Sequence, residues 1–181
     1  MKQILFTISL LLTFFMSAQT GGWNPELKTN ADEALSKMLE QSPKLETFKN
    51  EAYGYAVYPK VTKAGIGIGG AAGRGIVYKD GNVIGSSKLK QASIGLQLGG
   101  QQYSEAIFFK NKEAFDRFTN GNLKFDAQAS AVAITEGASA DLSYSGSVAV
   151  FTQIKGGLMY EASIGGQHFT YKSKAKQNEK N

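Results

Sequence analysis

The chain has 181 residues, which is the length of one domain with a short extra segment. Hydrophobic residues make up 42% and charged residues 19%, which excludes an intrinsically disordered chain. The formal charge of +5 is spread too thinly along the chain to indicate a nucleic-acid groove. There is no cysteine, so disulfides and a lipoprotein attachment thiol are excluded.

The first twenty residues predict a secretory signal peptide. Lys2 supplies a positive charge, residues 4–15 are mostly apolar, and Ser17 and Ala18 are small residues suited to cleavage. The alternative is a membrane anchor, but the apolar run is shorter than the ~20 residues that cross a bilayer. We therefore expect an exported protein, periplasmic or secreted, in which a linker over 21–30 follows the signal over 1–20.

Three helices are expected from apolar spacing and capping residues. The first is predicted over 31–41, with Asn30 as its cap, and the second over 43–51. A short internal helix is predicted over 112–119, capped by Asn111 and ended by Gly121.

Between these helices the hydrophobic period changes from 3.6 to 2, which indicates strands. Residues 55–59 are a predicted strand ended by proline, and Asp80-Gly81 favours a tight hairpin turn. Residues 93–98 and 103–110 are predicted to pair as the next hairpin. The expected fold is α+β, a twisted antiparallel sheet, barrel- or sandwich-like, with two N-terminal helices and one short internal helix. The alternative is a separate helical N-terminal domain.

Three sequence features could indicate a catalytic or cofactor site, but a structural role explains each of them better. Glycines 65, 67 and 70 match the dinucleotide-binding pattern, but the next residues favour a strand where that site needs a helix. His168 is the only histidine, which favours an edge-strand residue over a catalytic or zinc-binding one. Glu136 and Asp141 could serve a hydrolase as paired carboxylates, but they flank a predicted turn. No catalytic, cofactor-binding or metal-binding residue is predicted.

Five cationic side chains are the candidate binding residues. They fall in and beside the predicted strands, where they could gather at one rim if those strands are neighbours. Clustered lysines can hold phosphate or an anionic head group, and the alternative is ordinary charge on solvated loops. The predicted lipid-binding residues are Lys60, Lys63, Arg74, Lys88 and Lys90.

Several ordered segments resemble the bacterial branch of the SYLF family, also called lipid-binding or actin-binding SYLF domains. They are residues 55–70, 73–75, 93–101, 108–118 and 155–159. The resemblance covers about residues 31–172 and leaves 173–181 as a basic flexible tail. It implies a domain without enzymatic activity that binds phosphoinositides and membranes in eukaryotic members, some of which also bind actin.

The expected function is binding of an anionic lipid or membrane surface through the basic rim. An exported protein would not meet actin, and residues 20–29 are too short and glycine-rich for the amphipathic segment that eukaryotic members place ahead of the domain. The alternative is a periplasmic or secreted structural module that binds another protein through a sheet edge or an apolar patch.

Overall fold

The computed structural model of this protein describes residues 24–95, 100–123, 131–134, 144–154, 157–161 and 166–175. Within these ranges the helices are α1 (Pro25–Gln41), α2 (Lys44–Glu51) and α3 (Lys112–Thr119). The strands are β1 (Gly54–Lys79), β2 (Asn82–Gly95), β3 (Gly100–Phe109), β4 (Ala131–Ile134), β5 (Val148–Ile154), β6 (Gly157–Glu161) and β7 (Gln167–Ser173).

Helix α1 begins six residues before its predicted start, because Asn24 is its cap. The Asn24 side chain accepts a hydrogen bond of 2.6 Å from the Leu27 N–H, and Pro25 fits the first turn, where an N–H has no helical partner. Asn30 lies inside the helix, so its predicted role as cap was wrong. Residues 25–30 of the predicted linker are accordingly helical.

The other helices agree closely with the sequence. Helix α2 begins one residue after its predicted start, and α3 has the predicted bounds. The Asn111 side chain accepts a hydrogen bond of 2.9 Å from the Ala114 N–H. Gly121 ends the helical turn with a positive φ of 72°, a conformation that glycine adopts without strain.

The strands form one antiparallel sheet in the order β4-β6-β5-β3-β1-β2-β7, which confirms the α+β class with a twisted antiparallel sheet. The predicted Asp80-Gly81 hairpin joins β1 to β2, and both turn residues have positive φ. The predicted hairpin between 93–98 and 103–110 was wrong. Strand β3 lies between β1 and β5, whereas β2 lies between β1 and β7.

Strand β1 explains this arrangement, because it folds back on itself. The rings of Tyr55 and Tyr78 stack with centroids 4.7 Å apart, although a straight strand would separate them by ~75 Å. We call residues 54–64 the first arm and residues 67–79 the second arm. The first arm pairs with β3 and the second arm with β2, so β1 occupies the place of two adjacent strands.

Each face of the sheet has its own apolar core. The face that we call outer packs against α1 and α2 through buried residues that include Met38, Phe48 and Phe108. The opposite face, which we call inner, packs against α3 through residues that include Phe109, Phe118 and Phe169. Since α1 and α2 share a core with the sheet, the alternative of a separate helical domain was wrong.

The sheet curls around its inner face. Gln167 on β7 donates a hydrogen bond of 3.1 Å to Glu105 on β3, two strands that are not neighbours in the sheet. The rings of Tyr58 and Phe169 also meet across this face, with centroids 6.1 Å apart. Among the described strands β4 and β7 end the order, so the curled sheet is open and is not a closed barrel.

Some sequence predictions lie outside the described residues. They are the signal over 1–20, the carboxylates Glu136 and Asp141, and the end of the basic tail. None of the described helices combines the length and the apolar character that a membrane span requires.

Candidate functional site

A groove of about 670 Å³ runs between α1 and the outer face of the sheet. Its apolar lining includes Leu27, Ala34 and Pro59, and Glu33 is the one carboxylate on its wall among the described residues. Five cationic side chains also line it, and four of them are predicted binding residues. The five are Lys37 on α1, Lys60 and Arg74 on β1, and Lys88 and Lys90 on β2.

A β-bulge in the first arm places Lys60 in the groove. Between the pairs Tyr58↔Glu105 and Val61↔Tyr103, two residues of β1 lie opposite the single residue Ser104. Such a bulge shifts the alternation of side chains by one residue. Pro59 and Lys60 therefore both line the groove, and Val61 returns to the inner core.

Three neighbouring residues fit the bulge. The Ser104 hydroxyl donates a hydrogen bond of 2.7 Å to the Pro59 carbonyl oxygen. Proline suits this position because it has no N–H to offer to the sheet. A Cβ on Gly73 would lie 2.9 Å from a methyl carbon of Val61 and 3.2 Å from the Lys60 carbonyl oxygen, so glycine lets the second arm approach the bulge. Residues on both arms of β1 and on β3 therefore favour the bulge.

The same shift turns Lys63 away from the groove. Thr62 lines the groove and Val61 belongs to the inner core, so the alternation places Lys63 on the inner side of the sheet. The structure thus gathers Lys60, Arg74, Lys88 and Lys90 as predicted and separates Lys63 from them.

Helix α1 is fastened to the sheet beside the groove. The Tyr78 hydroxyl donates a hydrogen bond of 2.6 Å to Asp32 on α1, and Lys28 pairs with the same carboxylate at 2.5 Å. Burial, and secondly the hydrogen bond to Asp32, raises the pKa of Tyr78 far above its usual value, so the phenol keeps its proton. These contacts fix the helix that forms one wall of the groove.

The basic surface continues beyond the groove onto β7. Directly paired residues of antiparallel strands present their side chains on the same face. One such row is Arg74, Lys88 and Thr170, and the next contains Ser86 and Lys172. A small cleft of about 80 Å³ is lined by residues of both rows.

The glycine pattern and His168, which were weak indications of chemistry in the sequence, have structural roles. Gly67 and Gly70 pair with β2 inside a continuous strand, which confirms that the glycine pattern does not open a helix. His168 is exposed on β7 at the end of the strand order, as expected of an edge-strand histidine. Across the described parts of the chain, no group of three or more potential metal ligands is arranged to hold an ion.

Lys37, Thr170 and Lys172 were missed by the reasoning from sequence. Lys37 follows the apolar helix position Ala34 by three residues, so helical spacing could have indicated its place beside the groove. Thr170 and Lys172 reach the basic surface only through the register of β7 with β2, for which the sequence carries no local signal.

Comparisons with known proteins bear on this geometry. Residues 90–179 match the Ysc84 family model, which is described as "Las17-binding protein actin regulator". Beta cell expansion factor A of Aeromonas veronii is 27% identical over 144 residues, which are 79% of this chain and 55% of that protein. The chain thus spans about half the length of the curated relative that it matches.

Both matches include strands that carry the basic surface. The family model covers Lys90, β3, β5 and all of β7, including Lys172. Together with the relative, it confirms the resemblance inferred from the ordered motifs. On these grounds, residues 90–179 are similar to the SYLF (Ysc84) family.

Proposed function

We propose that this protein is an exported binding domain that holds the phosphate of an anionic lipid head group in the groove beside α1. The observation that carries the proposal is the convergence of Lys60, Arg74, Lys88 and Lys90, from three neighbouring segments of the sheet, in one groove. Lys37 adds a fifth cation from the helix.

Charge and shape favour an anionic group with apolar matter attached. Among the described residues, five cations and one carboxylate line the groove. No ion pair to a described carboxylate occupies Lys60, Lys88 or Lys90. Each lysine near an anionic membrane surface contributes about 1 kcal/mol to association. The apolar lining at Leu27, Ala34 and Pro59 suits the glycerol and acyl end of such a ligand.

Export and binding without turnover are parts of the same proposal. Lys2, the apolar run over 4–15 and the small residues Ser17 and Ala18 support a signal peptide. The description of the family model names a binding protein and a regulator, and it names no reaction. Actin is not the proposed ligand, since an exported domain would not meet it.

Vesicle co-sedimentation of residues 21–181, which include every described residue, tests the lipid proposal. We expect pelleting with anionic vesicles at about 0.1 M salt and little at about 1 M, where the Debye length falls to about 3 Å. Neutral vesicles should pellet little protein. The double variant Lys60→Gln with Lys90→Gln should bind at least about tenfold more weakly, because it loses two head-group contacts.

Two matched controls remove the same charge elsewhere. Lys63→Gln changes a lysine three residues from Lys60 that lies on the inner side, and Lys44→Gln changes an exposed lysine on α2. Both should bind nearly as well as the unaltered chain. If these controls and the double variant pellet equally, the groove is not the lipid site. The basic tail is tested by truncation after Ser173, which should leave most of the binding intact.

The alternative is a module that binds another protein. The family model's description favours it, because that description names a protein partner. Strand β7 also favours it, because the edge of β7 that faces away from β2 has no strand partner among the described strands. This alternative would be selected if the chain pelleted with no vesicle and if its binding to a protein partner persisted at about 1 M salt.

A further inference from the structure

We propose that the cleft between β2 and β7, which shares Arg74 and Lys88 with the groove, is a second binding site and that it takes one phosphate group. Its ligand class is a phosphomonoester or free phosphate, a compact tetrahedral oxyanion. Thr170 and Lys172 line only the cleft and Lys60 lines only the groove, so the two sites can be tested separately.

The register of three strands brings the cations of the cleft together. Arg74, Lys88 and Thr170 are directly paired across the second arm of β1, β2 and β7. Lys172 pairs with Ser86 one step further along the same face. Neighbouring side chains in such rows have Cβ atoms about 5 Å apart, and diagonal ones about 7–8 Å. Three positive charges therefore lie within reach of one small anion.

Hydroxyl groups and a close approach of strands complete the cleft. Ser86, which is 8% exposed, and Thr170 both line it and can donate hydrogen bonds. A Cβ on Gly85 would lie 2.3 Å from the Lys172 carbonyl oxygen, so glycine allows β7 to come near β2 beside Lys172. Ser86 and Thr170 therefore add hydroxyl donors to the three cations of the cleft.

The size and chemistry of the cleft fit phosphate better than a longer ligand. Its volume is about 80 Å³, against about 670 Å³ for the groove. Arginine and lysine with hydroxyl donors satisfy several oxygens of a doubly charged group, and charge-assisted hydrogen bonds to phosphate are the strong ones. Among the described residues that line the cleft there is no carboxylate to repel such an anion.

Calorimetric titration of the full chain with inorganic phosphate tests the site. Sodium chloride keeps the ionic strength constant, so that general screening does not change. We expect saturable binding that weakens about tenfold in Lys172→Gln and also weakens in Thr170→Val. Lys44→Gln, which changes an exposed lysine on α2 outside both sites, should leave phosphate affinity unchanged.

A second arm separates a lipid source from free phosphate. The same proteins are added to neutral vesicles with and without phosphatidic acid, whose head group is a phosphomonoester. If Lys172→Gln weakens binding only to vesicles with phosphatidic acid, the cleft is assigned to a lipid head group. If it weakens binding both to these vesicles and to inorganic phosphate, the cleft is assigned to any phosphomonoester. A loss only with inorganic phosphate assigns it to free phosphate.

The outcomes separate this proposal from the one for the groove. Phosphate binding that is lost in Lys60→Gln and kept in Lys172→Gln would overturn the cleft. The absence of binding in both arms would do so as well. Weak vesicle binding in the groove variants, with normal phosphate binding, would leave both proposals standing. The thermal unfolding midpoints of Lys172→Gln and Thr170→Val are compared with that of the unaltered chain. Equal midpoints exclude loss of folding as the cause of weaker phosphate binding.

Discussion

Gln167 donates a hydrogen bond of 3.1 Å to Glu105 across the inner face of the sheet, although the two arms of β1 and all of β2 lie between their strands. A flat sheet would hold these strands ~19 Å apart. Both residues are buried, with 5% and 0% exposure, so the bond fixes the curl from inside the core.

Gln167→Leu should destabilise the fold, because it removes a donor from a buried carboxyl group and adds no replacement. We expect a loss of about 1–3 kcal/mol in the free energy of unfolding, measured by urea denaturation. Gln101→Leu changes the same residue type at an exposed position on β3 and should cost under about 0.5 kcal/mol. Equal losses in the two variants would contradict a structural role for this bond.

Stability should fall at alkaline pH. Burial raises the pKa of Tyr58, and burial with the hydrogen bond to Asp32 raises that of Tyr78, so both phenols keep their protons longer in the folded state. In the unfolded chain they ionise near the usual value of about 10. Their stabilising contribution is thus full below about pH 10 and is lost as the pH rises from there through the folded pKa.

Urea denaturation between about pH 8 and about pH 11 measures this dependence. Tyr78→Phe should lower stability at neutral pH by about 1–2 kcal/mol, since it removes a hydrogen bond to a half-exposed carboxylate. It should also make the alkaline loss shallower. An alkaline slope as steep as that of the unaltered chain would contradict the assignment to Tyr78.

Ser104→Ala tests whether the bulge positions Lys60. Losing the hydrogen bond from Ser104 to the Pro59 carbonyl costs about 1 kcal/mol of bulge stability, so anionic vesicles should bind up to about fivefold more weakly. Lys60→Gln should then have a smaller effect in the Ser104→Ala background than alone. Strictly additive effects of the two substitutions would mean that Ser104 acts independently of Lys60.

Gly75→Ala should be among the most harmful changes of a single methyl group. The added Cβ would lie 2.6 Å from the Val57 carbonyl oxygen and 2.7 Å from the Tyr58 ring, where the arms of β1 meet. We expect a loss of about 2–4 kcal/mol in thermal or urea unfolding. Gly81→Asn is the comparison, because nothing lies within 4 Å of that position and asparagine tolerates its φ of 74°. A loss at Gly75 no larger than that at Gly81 would show that the arms can separate at little cost.

The sequence by itself determined the elements whose signals are local. Asn111 with Gly121 delimits α3, and Asp80-Gly81 sets the hairpin between β1 and β2. These features depend on residues within a few positions of one another, so their chemistry is visible in the sequence. The exception is α1, where Asn30 with Glu33 had the same capping pattern, yet Asn24 followed by Pro25 begins the helix.

Only the tertiary structure decided which cations share a surface. A shift of one residue moves every later side chain of a strand to the other face, and the bulge at Pro59 makes that shift between Lys60 and Lys63. Strand β1 folds back on itself, and β7 pairs with β2 in the register that brings Lys172 beside Arg74 and Lys88. Pairing between distant segments is fixed by the burial of both faces of the sheet at once, and no local pattern carries that information.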